Sequence, residues 1–299
     1  MPPNSMQRLL ATAAGQFDRG LRRRLATDLR GAIGRSELTL HYQPRVRLRD
    51  GARLGAEALL RWHHARRGEV PPADFIPIAE DSDLIVALGG WVLRRAAADA
   101  MAHPELGRVA VNVSARQVAS GALPRQVEEA LAVTGLPPAR LELELTESLP
   151  LEDAPEVVAM LQGLRDRGIS LALDDFGTGY ASFARLRRLP FTTLKLDHSL
   201  IDGVPGAERD LAILRALRDL AQALRLRLVA EGVERVEQAA ILADLGFEEA
   251  QGYLFGGAAP LPLPGRLAPG ALAPAPGRTT VSGRCPPSES PSSAPASPA

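Results

Sequence analysis

The sequence predicts an α/β fold, a closed (β/α)8 barrel in which one strand runs antiparallel to its neighbour. Two observations predict it: eight apolar runs of strand length recur along the chain, and helical stretches separate most of them. Such alternation is typical of parallel strands covered by helices. The length of 299 residues also suits this fold, because an α/β barrel of this kind needs about 250 residues.

The eight runs combine apolar and β-branched residues over the length of a strand. They are Leu38–Leu48, Leu54–Trp62, Val109–Val113, Leu141–Leu145, Ile169–Leu173, Thr192–Leu196, Leu226–Ala230 and Ala250–Tyr253. The first two runs meet across a turn at Arg49-Asp50-Gly51, and no helix fits there. We therefore predict that the first strand is antiparallel to the second.

Helical periodicity fills several of the intervals. Apolar residues recur every four positions from Phe17 to Ile33, which predicts an amphipathic helix packed on the domain. The alternative for this basic segment is a helix lying on a membrane surface. A second helix is expected after the candidate cap Asp153 and ends at Gly168, and a third presents the apolar face Leu214–Leu224.

Composition divides the chain into a barrel domain and two flanking segments. We expect an N-terminal extension over residues 1–19, the barrel domain over 20–262 and a disordered tail over 263–299. Ten of the 25 prolines lie at or after Pro262, and such a segment cannot bury enough apolar surface to offset its ordering entropy. The single cysteine, Cys285, lies there, which excludes an intrachain disulfide and a cysteine-based metal site.

Charge and hydropathy restrict the partners. Lys+Arg and Asp+Glu are both 35, so the net charge is zero, which argues against a nucleic-acid-binding surface built on bulk positive charge. No apolar run approaches the ~20 residues of a membrane span. We read no signal peptide at the start, so a cytoplasmic protein without a membrane span is expected.

One basic residue differs from all the others. Lys195 is the single lysine, and the other 34 of the 35 basic residues are arginines. A compact ammonium is not interchangeable with a planar guanidinium, so Lys195 is a candidate functional residue. The alternative is that chance has left one lysine in an arginine-rich composition.

Polar groups lie near one end of seven consecutive predicted strands. The positions are Glu57, Asn112, Glu144 with Glu147, Asp174 with Asp175, Lys195, Glu231 and Gln251. In barrels of this kind the reactive groups lie at the C-terminal ends of the strands. Each residue alone could cap the following helix, but capping does not explain seven strands in a row.

Converging carboxylates without arginine partners would repel one another and raise one another's pKa values, and divalent cations resolve this. Hard cations prefer carboxylate and amide oxygens. The residues that offer them are Glu57, Asn112, Glu144, Asp174 and Asp175. Adjacent carboxylates such as Asp174 and Asp175 can bridge two cations about 3.5–4 Å apart, the arrangement used for in-line displacement at a phosphodiester. Lys195 would then hold the attacking water or neutralise charge.

Eight short segments form a joint pattern along the chain. They are Tyr42-Gln43-Pro44, Gly55–Trp62, Val111–Ser114, Leu143–Glu147, Asp174–Tyr180, Lys195-Leu196-Asp197, Ala230–Glu234 and Gln251-Gly252-Tyr253. Together, over about residues 20 to 262, they resemble the motifs of EAL-domain cyclic di-GMP phosphodiesterases. The resemblance implies a TIM-like barrel with one antiparallel strand, which hydrolyses cyclic di-GMP to the linear dinucleotide pGpG.

The resemblance also implies roles for the matching residues. Two Mg²⁺ or Mn²⁺ ions would be bound by Glu57, Asn112, Glu144, Asp174 and Asp175. Glu231 would be a further ligand or the general base, and Lys195 would hold the nucleophilic water.

Substrate contacts and assembly follow from the same resemblance. Gln43, Arg61 and Asp197 would contact cyclic di-GMP, with Arg61 as a fork on phosphate. Glu147 would support the loop Asp175–Tyr180, which in this family links the metals to a homodimer interface.

The chain departs from the family pattern away from the implied metal ligands. Phe255-Gly256-Gly257-Ala258 stands where Phe-Ser-Arg-Pro is usual. Because this segment contains none of the implied metal ligands, catalytic activity remains the prediction. Two alternatives stay open: a receptor that binds cyclic di-GMP without cutting it, and a metal-dependent barrel enzyme of another class, such as an enolising lyase. The Phe17–Ile33 helix resembles a connector to diguanylate-cyclase domains, so the chain is a stand-alone protein or a fragment of a longer one.

Overall fold

The computed structural model describes residues 20, 22–146, 154–177, 183–206 and 208–263. Its strands are β1 Leu38–Arg47, β2 Arg53–His64, β3 Gly68–Val70, β4 Arg108–Asn112, β5 Leu141–Thr146, β6 Ser170–Phe176, β7 Thr193–Leu196, β8 Arg227–Ala230 and β9 Glu249–Gln251. Its helices are α1 (22–32), α2 Pro72–Glu80, α3 Leu84–Ala102, α4 Ala115–Ala119, α5 Leu123–Thr134, α6 Pro155–Asp166, α7 Phe183–Arg188, α8 Glu208–Ala223 and α9 Val236–Asp244.

Eight of these strands close into a barrel. Their order is β1, β2, β4, β5, β6, β7, β8 and β9, and β9 pairs back onto β1. β1 is antiparallel to both of its neighbours, whereas the other barrel strands are mutually parallel. The predicted barrel and its antiparallel first strand are therefore confirmed. β3 pairs only with β2 and lies outside the barrel; the sequence does not predict it, because three residues are too few for a periodic pattern.

The last strand is shorter than predicted. It ends at Gln251 instead of continuing to Tyr253. Gly252 packs directly on the backbone at Val233, where a Cβ atom would lie 2.2 Å from the carbonyl oxygen. The amide of Phe255 then donates to the carbonyl of Gly252 at 3.0 Å, so the chain turns away from the sheet.

Two helical predictions hold where the structure describes them, and the third holds in part. α8 buries Leu214 and Ala221, but it ends at Ala223, and Leu224 beyond its end is 39% exposed. α1 buries Leu25 and Leu29 in a small apolar cluster with Trp62 and Phe75, which confirms a helix packed on the domain. α6 buries Leu161 and Leu164 as expected. The N-cap of α6 is Ala154, one residue after the predicted cap at position 153, because the helix begins at Pro155. The tail after position 263 lies outside the described residues. None of the described helices combines the length and hydropathy that crossing a bilayer requires.

Charged side chains, rather than aliphatic ones, fill the middle of the barrel. Alternate residues of a barrel strand point inward, and the inward-facing residues below the strand ends form what we call the lower layer: Arg45, Glu142, Thr193, Arg227 and Glu249. Nη1 of Arg45 lies 2.5 Å from Oε1 of Glu142, and its Nε lies 3.1 Å from Oε2 of Glu249. Arg227 and Thr193 donate to the other oxygen of Glu142 at 2.9 and 3.0 Å.

Pairing outweighs burial in this layer. Burial alone would raise the pKa of Glu142, but Arg45 and Arg227 lower it to about 2. Burial would lower the pKa of Arg45, yet the carboxylates of Glu142 and Glu249 raise it above its usual value. Both side chains of the Arg45–Glu142 pair are therefore charged while almost fully buried.

Removal of Arg45 tests this pairing. Arg45→Met leaves Glu142 and Glu249 without their guanidinium, and removing one partner of a buried ion pair costs about 3–5 kcal/mol. We expect the free energy of unfolding, measured by urea denaturation near neutral pH, to fall by that amount. Arg47→Met is the matched control, because Arg47 lies on the same strand and pairs with the exposed Asp50; its cost should stay below about 1 kcal/mol. Equal costs for the two variants would contradict the proposed importance of the lower layer.

Candidate active site

A single ammonium group lies at the centre of the upper barrel. Lys195, on β7, is completely buried. Its Nζ lies 2.7 Å from Oε1 of Glu231, 2.8 Å from Oε1 of Glu144, 3.0 Å from Oδ1 of Asp174 and 3.6 Å from Oε2 of Glu57. None of the described groups around Nζ completes a well-aligned hydrogen bond with it, so the attraction is mainly coulombic. Four separate strand ends thus converge on one cation.

The charges in this centre shift one another's pKa values. Burial would lower the pKa of Lys195, but the carboxylates, Glu144 foremost, raise it well above its usual value. Burial raises the pKa of Glu144 well above its ordinary value, and burial with neighbouring carboxylates raises the pKa of Glu231 to about 8. Metal ligands have to be deprotonated, so a cation bound here would displace protons.

Amide groups hold Glu57 in place from two sides. Nδ2 of Asn112 donates to Oε1 of Glu57 at 2.7 Å, and Nε2 of Gln251 donates to Oε2 at 2.6 Å. Gln251 also donates to the side-chain oxygen of Gln43 at 3.1 Å. Burial acts to raise the pKa of Glu57, but Lys195 and the two amides lower it. The amides therefore fix an ionised carboxylate at the end of β2.

A local irregularity in β6 brings two consecutive aspartates together. Successive side chains of a strand normally point to opposite faces. Asp175 has a φ of 57°, in the left-handed region, and the pairing of β6 with β7 shifts between Leu173 and Phe176. The amide of Asp175 donates to Oδ1 of Asp174 at 3.0 Å. Possible ligand atoms of Asp174, Asp175 and Glu231 all lie within 4.8 Å of one another as a result.

The donor set fits hard divalent cations. We use the name acidic cluster for the carboxylates around Lys195, which are Glu57, Glu144, Asp174, Asp175 and Glu231. Every candidate ligand is a carboxylate or amide oxygen, the ligand type that Mg²⁺ and Mn²⁺ prefer. Both oxygens of Glu144 are buried and receive no aligned hydrogen bond from the described part of the chain. Unsatisfied buried oxygens of this kind suit a bound cation.

Four of the five carboxylates of the cluster, all except the fully buried Glu144, line a cleft at the C-terminal ends of the strands, which we call the main cleft. Its volume is about 430 Å³, and Gln43, Asp197, His198 and Tyr253 line its walls. Tyr253 is 74% exposed. Both carboxylate oxygens of Asp197 form hydrogen bonds with the residues that follow it. One accepts from the amide of Ser199 and the other lies next to Nδ1 of His198, each at 2.9 Å.

Arg61 lies in a neighbouring cleft, which we call the side cleft, instead of the main one. The side cleft has about 280 Å³ and a largely apolar lining that includes Ile76 and Leu88, and Asn112 also borders it. Leu59 lines both clefts. Nη1 of Arg61 donates to the carbonyl of Leu60 at 3.0 Å.

Position 147 and residues 178–180, half of the loop predicted to link it to a dimer interface, lie outside the described residues. The Gly256-Gly257-Ala258 segment lies beside the main cleft, where Nε2 of Gln43 approaches the carbonyl oxygen of Gly256 at 3.5 Å. The contact with Gly256 is made by backbone, so it does not need a particular side chain at that position.

Sequence reasoning missed two sets of residues near the cluster. The lower layer lies two residues before the site residues of β5 and β7, at Glu142 and Thr193. The inward alternation of barrel strands would have pointed to it. His198 follows Asp197 directly, but only the structure places it on the wall of the main cleft.

Comparisons with known proteins agree with this geometry. The profile of the EAL domain family matches residues 26–258. A protein of Pseudomonas aeruginosa named cyclic di-GMP phosphodiesterase NbdA is 44% identical over 240 residues, which cover 79% of this chain and 30% of that protein. An uncharacterized signaling protein of Caulobacter vibrioides is 48% identical over 240 residues, covering 80% of this chain and 30% of the relative. The chain thus spans about 30% of the length of these curated relatives.

Solved structures show the same fold. A structure described as PaMucR phosphodiesterase in complex with c-di-GMP has a TM-score of 0.74 and 40% identity, and the match covers 80% of this chain and 98% of that one. The EAL domain of Mycobacterium smegmatis DcpA has a TM-score of 0.63 and 34% identity, with 75% and 92% of the two chains covered. The profile match and these identities show that the chain belongs to the EAL domain family.

Proposed function

We propose that this chain hydrolyses cyclic di-GMP to linear pGpG with the help of two divalent cations. The observation that carries the proposal is the convergence of Glu57, Glu144, Asp174 and Glu231 on Lys195 at the C-terminal end of the barrel. The relatives support the substrate, since one is named a cyclic di-GMP phosphodiesterase and another was solved with c-di-GMP.

Charge balance supports the number of cations. The acidic cluster places five carboxylates around one ammonium. With every carboxylate ionised, four negative charges are uncompensated, and two divalent cations balance them. The residues that would hold them are Glu57, Asn112, Glu144, Asp174 and Asp175. When bound, such ions lower the pKa of water and neutralise charge on the phosphate.

The chain's own residues would position and deprotonate the attacking water. Lys195 is held by carboxylates on several sides, so its ammonium cannot swing away and can orient a water by hydrogen bonding. Glu231 lies 2.7 Å from that ammonium and at the edge of the main cleft, where it can accept the proton of the water. Gln251 holds the side chains of Glu57 and Gln43 in fixed positions relative to each other, because its amide donates a hydrogen bond to both.

The two clefts would hold different parts of the substrate. Gln43 lines the main cleft and offers its amide to the dinucleotide. The side cleft has apolar walls, suited to the face of a planar base, with Arg61 at its border as a fork for phosphate or for a base edge. Because Leu59 lines both clefts, one extended dinucleotide can reach the acidic cluster and Arg61 together.

We also propose that the chain forms a homodimer, as its family membership suggests, and that the barrel domain extends from residue 20 to residue 262. Light scattering of the purified chain tests the first proposal, because it measures the molar mass in solution. Limited proteolysis followed by mass spectrometry tests the domain bounds, because cleavage sites should concentrate before residue 20 and after residue 262.

Metal binding should be visible without catalysis. A ligand at 100 times its Kd stabilises the folded state by about 2.7 kcal/mol, so Mn²⁺ should raise the Tm of the wild type. Asp175→Asn should lose most of this rise, because it removes one carboxylate of the closest ligand group. Asp202→Asn is the matched control in the same cleft, outside that group, and should keep the rise. An unchanged wild-type Tm across a Mn²⁺ titration would argue against the metal site.

Activity should depend on the charged centre. We expect wild-type protein with Mg²⁺ or Mn²⁺ to convert cyclic di-GMP into pGpG, measured by chromatography. Lys195→Met and Glu57→Ala should each lower kcat by about 10²–10³-fold or more, the typical cost of removing a group that stabilises the transition state. Glu129→Ala removes an exposed acid on α5 and should leave kcat unchanged.

Circular dichroism of each variant separates loss of chemistry from loss of folding. Wild-type protein that binds cyclic di-GMP without forming pGpG would favour the receptor alternative. Protein that neither binds nor cleaves it would favour a barrel enzyme of another class.

A further inference from the structure

The main cleft is strongly acidic for a site that takes a dianionic dinucleotide. Its lining carboxylates are Glu57, Asp174, Asp175, Asp197, Asp202, Glu231 and Glu234. Among the described residues that line it, the groups able to carry positive charge are Lys195 and His198. Lys195 is fully buried beneath the acidic cluster, whereas the side chain of His198 is 63% exposed. Solvent, and hence a ligand, can therefore reach His198.

The turn after β7 fixes the orientation of His198. Asp197 caps the short 3-10 turn His198–Leu200 by accepting the amide of Ser199 at 2.9 Å. Its other carboxylate oxygen lies 2.9 Å from Nδ1 of His198. An ionised carboxylate only accepts hydrogen bonds, so Nδ1 of His198 carries a proton and donates a hydrogen bond to Asp197. Nε2 is then the ring nitrogen left to contact a ligand.

The absence of a side chain at Gly232 leaves room for His198. A Cβ atom on Gly232 would lie 2.3 Å from Cβ of His198, and the φ of Gly232 is +65°. The loop after β8 therefore passes directly against the histidine, on the same wall as Glu231. Any larger residue at position 232 would clash with His198.

We propose that the imidazolium of His198 donates a hydrogen bond from Nε2 to the phosphate of the cyclic dinucleotide that the acidic cluster does not hold. This rests on the proposed function, because it presumes a substrate with two phosphates. One phosphate would lie at the acidic cluster, and the other, where it stays in the main cleft instead of reaching Arg61 in the side cleft, lies along a wall of carboxylates. His198 is the accessible cation on that wall, so it determines whether this phosphate is tolerated.

The surroundings favour the charged form of the ring. The hydrogen bond to Asp197 raises the pKa of His198, and Asp202 and Asp175 add to the effect. From the loop after β8, Glu231 and Glu234 face the same cleft. The nearby guanidinium of Arg235 is bound to the carbonyl oxygens of Asp202 and Val204. Asp197 thus acts through His198 as a positioning residue, instead of contacting the substrate itself.

The sign of the pH dependence follows from this arrangement. The contact is complete below the pKa of His198 and is lost as the pH rises through it, because neutral imidazole with a protonated Nδ1 has no proton on Nε2. We therefore expect His198→Gln to raise KM about tenfold at low pH, the effect of losing one charge-assisted hydrogen bond. The KM ratio of variant to wild type should fall to one or below as the pH is raised to about 9, because the glutamine amide remains a neutral donor where neutral His198 has none. His198→Arg should keep KM low across the range.

A matched control exists at the opposite end of the barrel. His103 lies between α3 and β4, and its Nδ1 is 3.0 Å from a carboxylate oxygen of Glu105, so it forms the same kind of local pair. His103→Gln should leave KM and its pH profile unchanged. In all three variants kcat should stay within about twofold of the wild type, since no group that acts on the water is altered.

A second measurement does not require turnover. The chain has five histidines, whose imidazole protons can be followed by NMR as the pH is varied. Saturation with pGpG and Mg²⁺ should raise the pKa of His198, assigned with the His198→Gln variant, because binding and protonation are linked reciprocally. The imidazole signals of His103 should not respond to pGpG, because His103 lies far from the main cleft.

The outcomes separate this inference from the proposed function. Wild-type turnover with the same KM profile in His198→Gln, or an unmoved titration of His198 in the presence of pGpG, would overturn the role of His198 alone. Absence of pGpG formation by the wild type would contradict the proposed function. The NMR titration with pGpG would still decide whether His198 contacts the dinucleotide.

Discussion

The arrangement of the barrel depends on one ammonium surrounded by carboxylates. Lys195 is buried with Glu144, Asp174 and Glu231 within about 3 Å of its nitrogen. An isolated buried charge is very costly, so each group is tolerable only while the others stay in place. This mutual dependence ties several strand ends to one point. The same excess of negative charge makes this centre suited to bind divalent cations.

Beneath this centre, the lower layer balances charge in a different way. Arg45 and Glu142 are a paired cation and anion, whereas the acidic cluster above them is left short of cations. Each strand can contribute to both layers because inward-facing residues recur every second position, as Glu142 and Glu144 do on β5. A neutral chain therefore contains a well-paired structural layer directly below a reactive one.

The strands and the acidic centre could be predicted because each leaves a local signal. An apolar run ending in Asp174-Asp175 identifies both a strand and its reactive end. The role of Arg45 could not be predicted in this way, since a strand arginine is usually exposed and its partners Glu142 and Glu249 are distant in the chain. The sequence also does not show that a left-handed residue, Asp175, is what lets two consecutive side chains reach the same cluster.

The lower layer restricts the route by which molecules enter and leave the main cleft. Arg45 and Glu142 are 2% and 0% exposed, so they close the barrel below the acidic cluster. Within the part of the chain that the structure describes, this leaves the C-terminal end of the strands as the way into the main cleft. Under the proposed function, a spent nucleotide would have to depart through the opening by which the next one arrives, so the two would compete for the same passage. Accumulated product would slow each following turnover, and removal of the product by a later reaction would restore the rate.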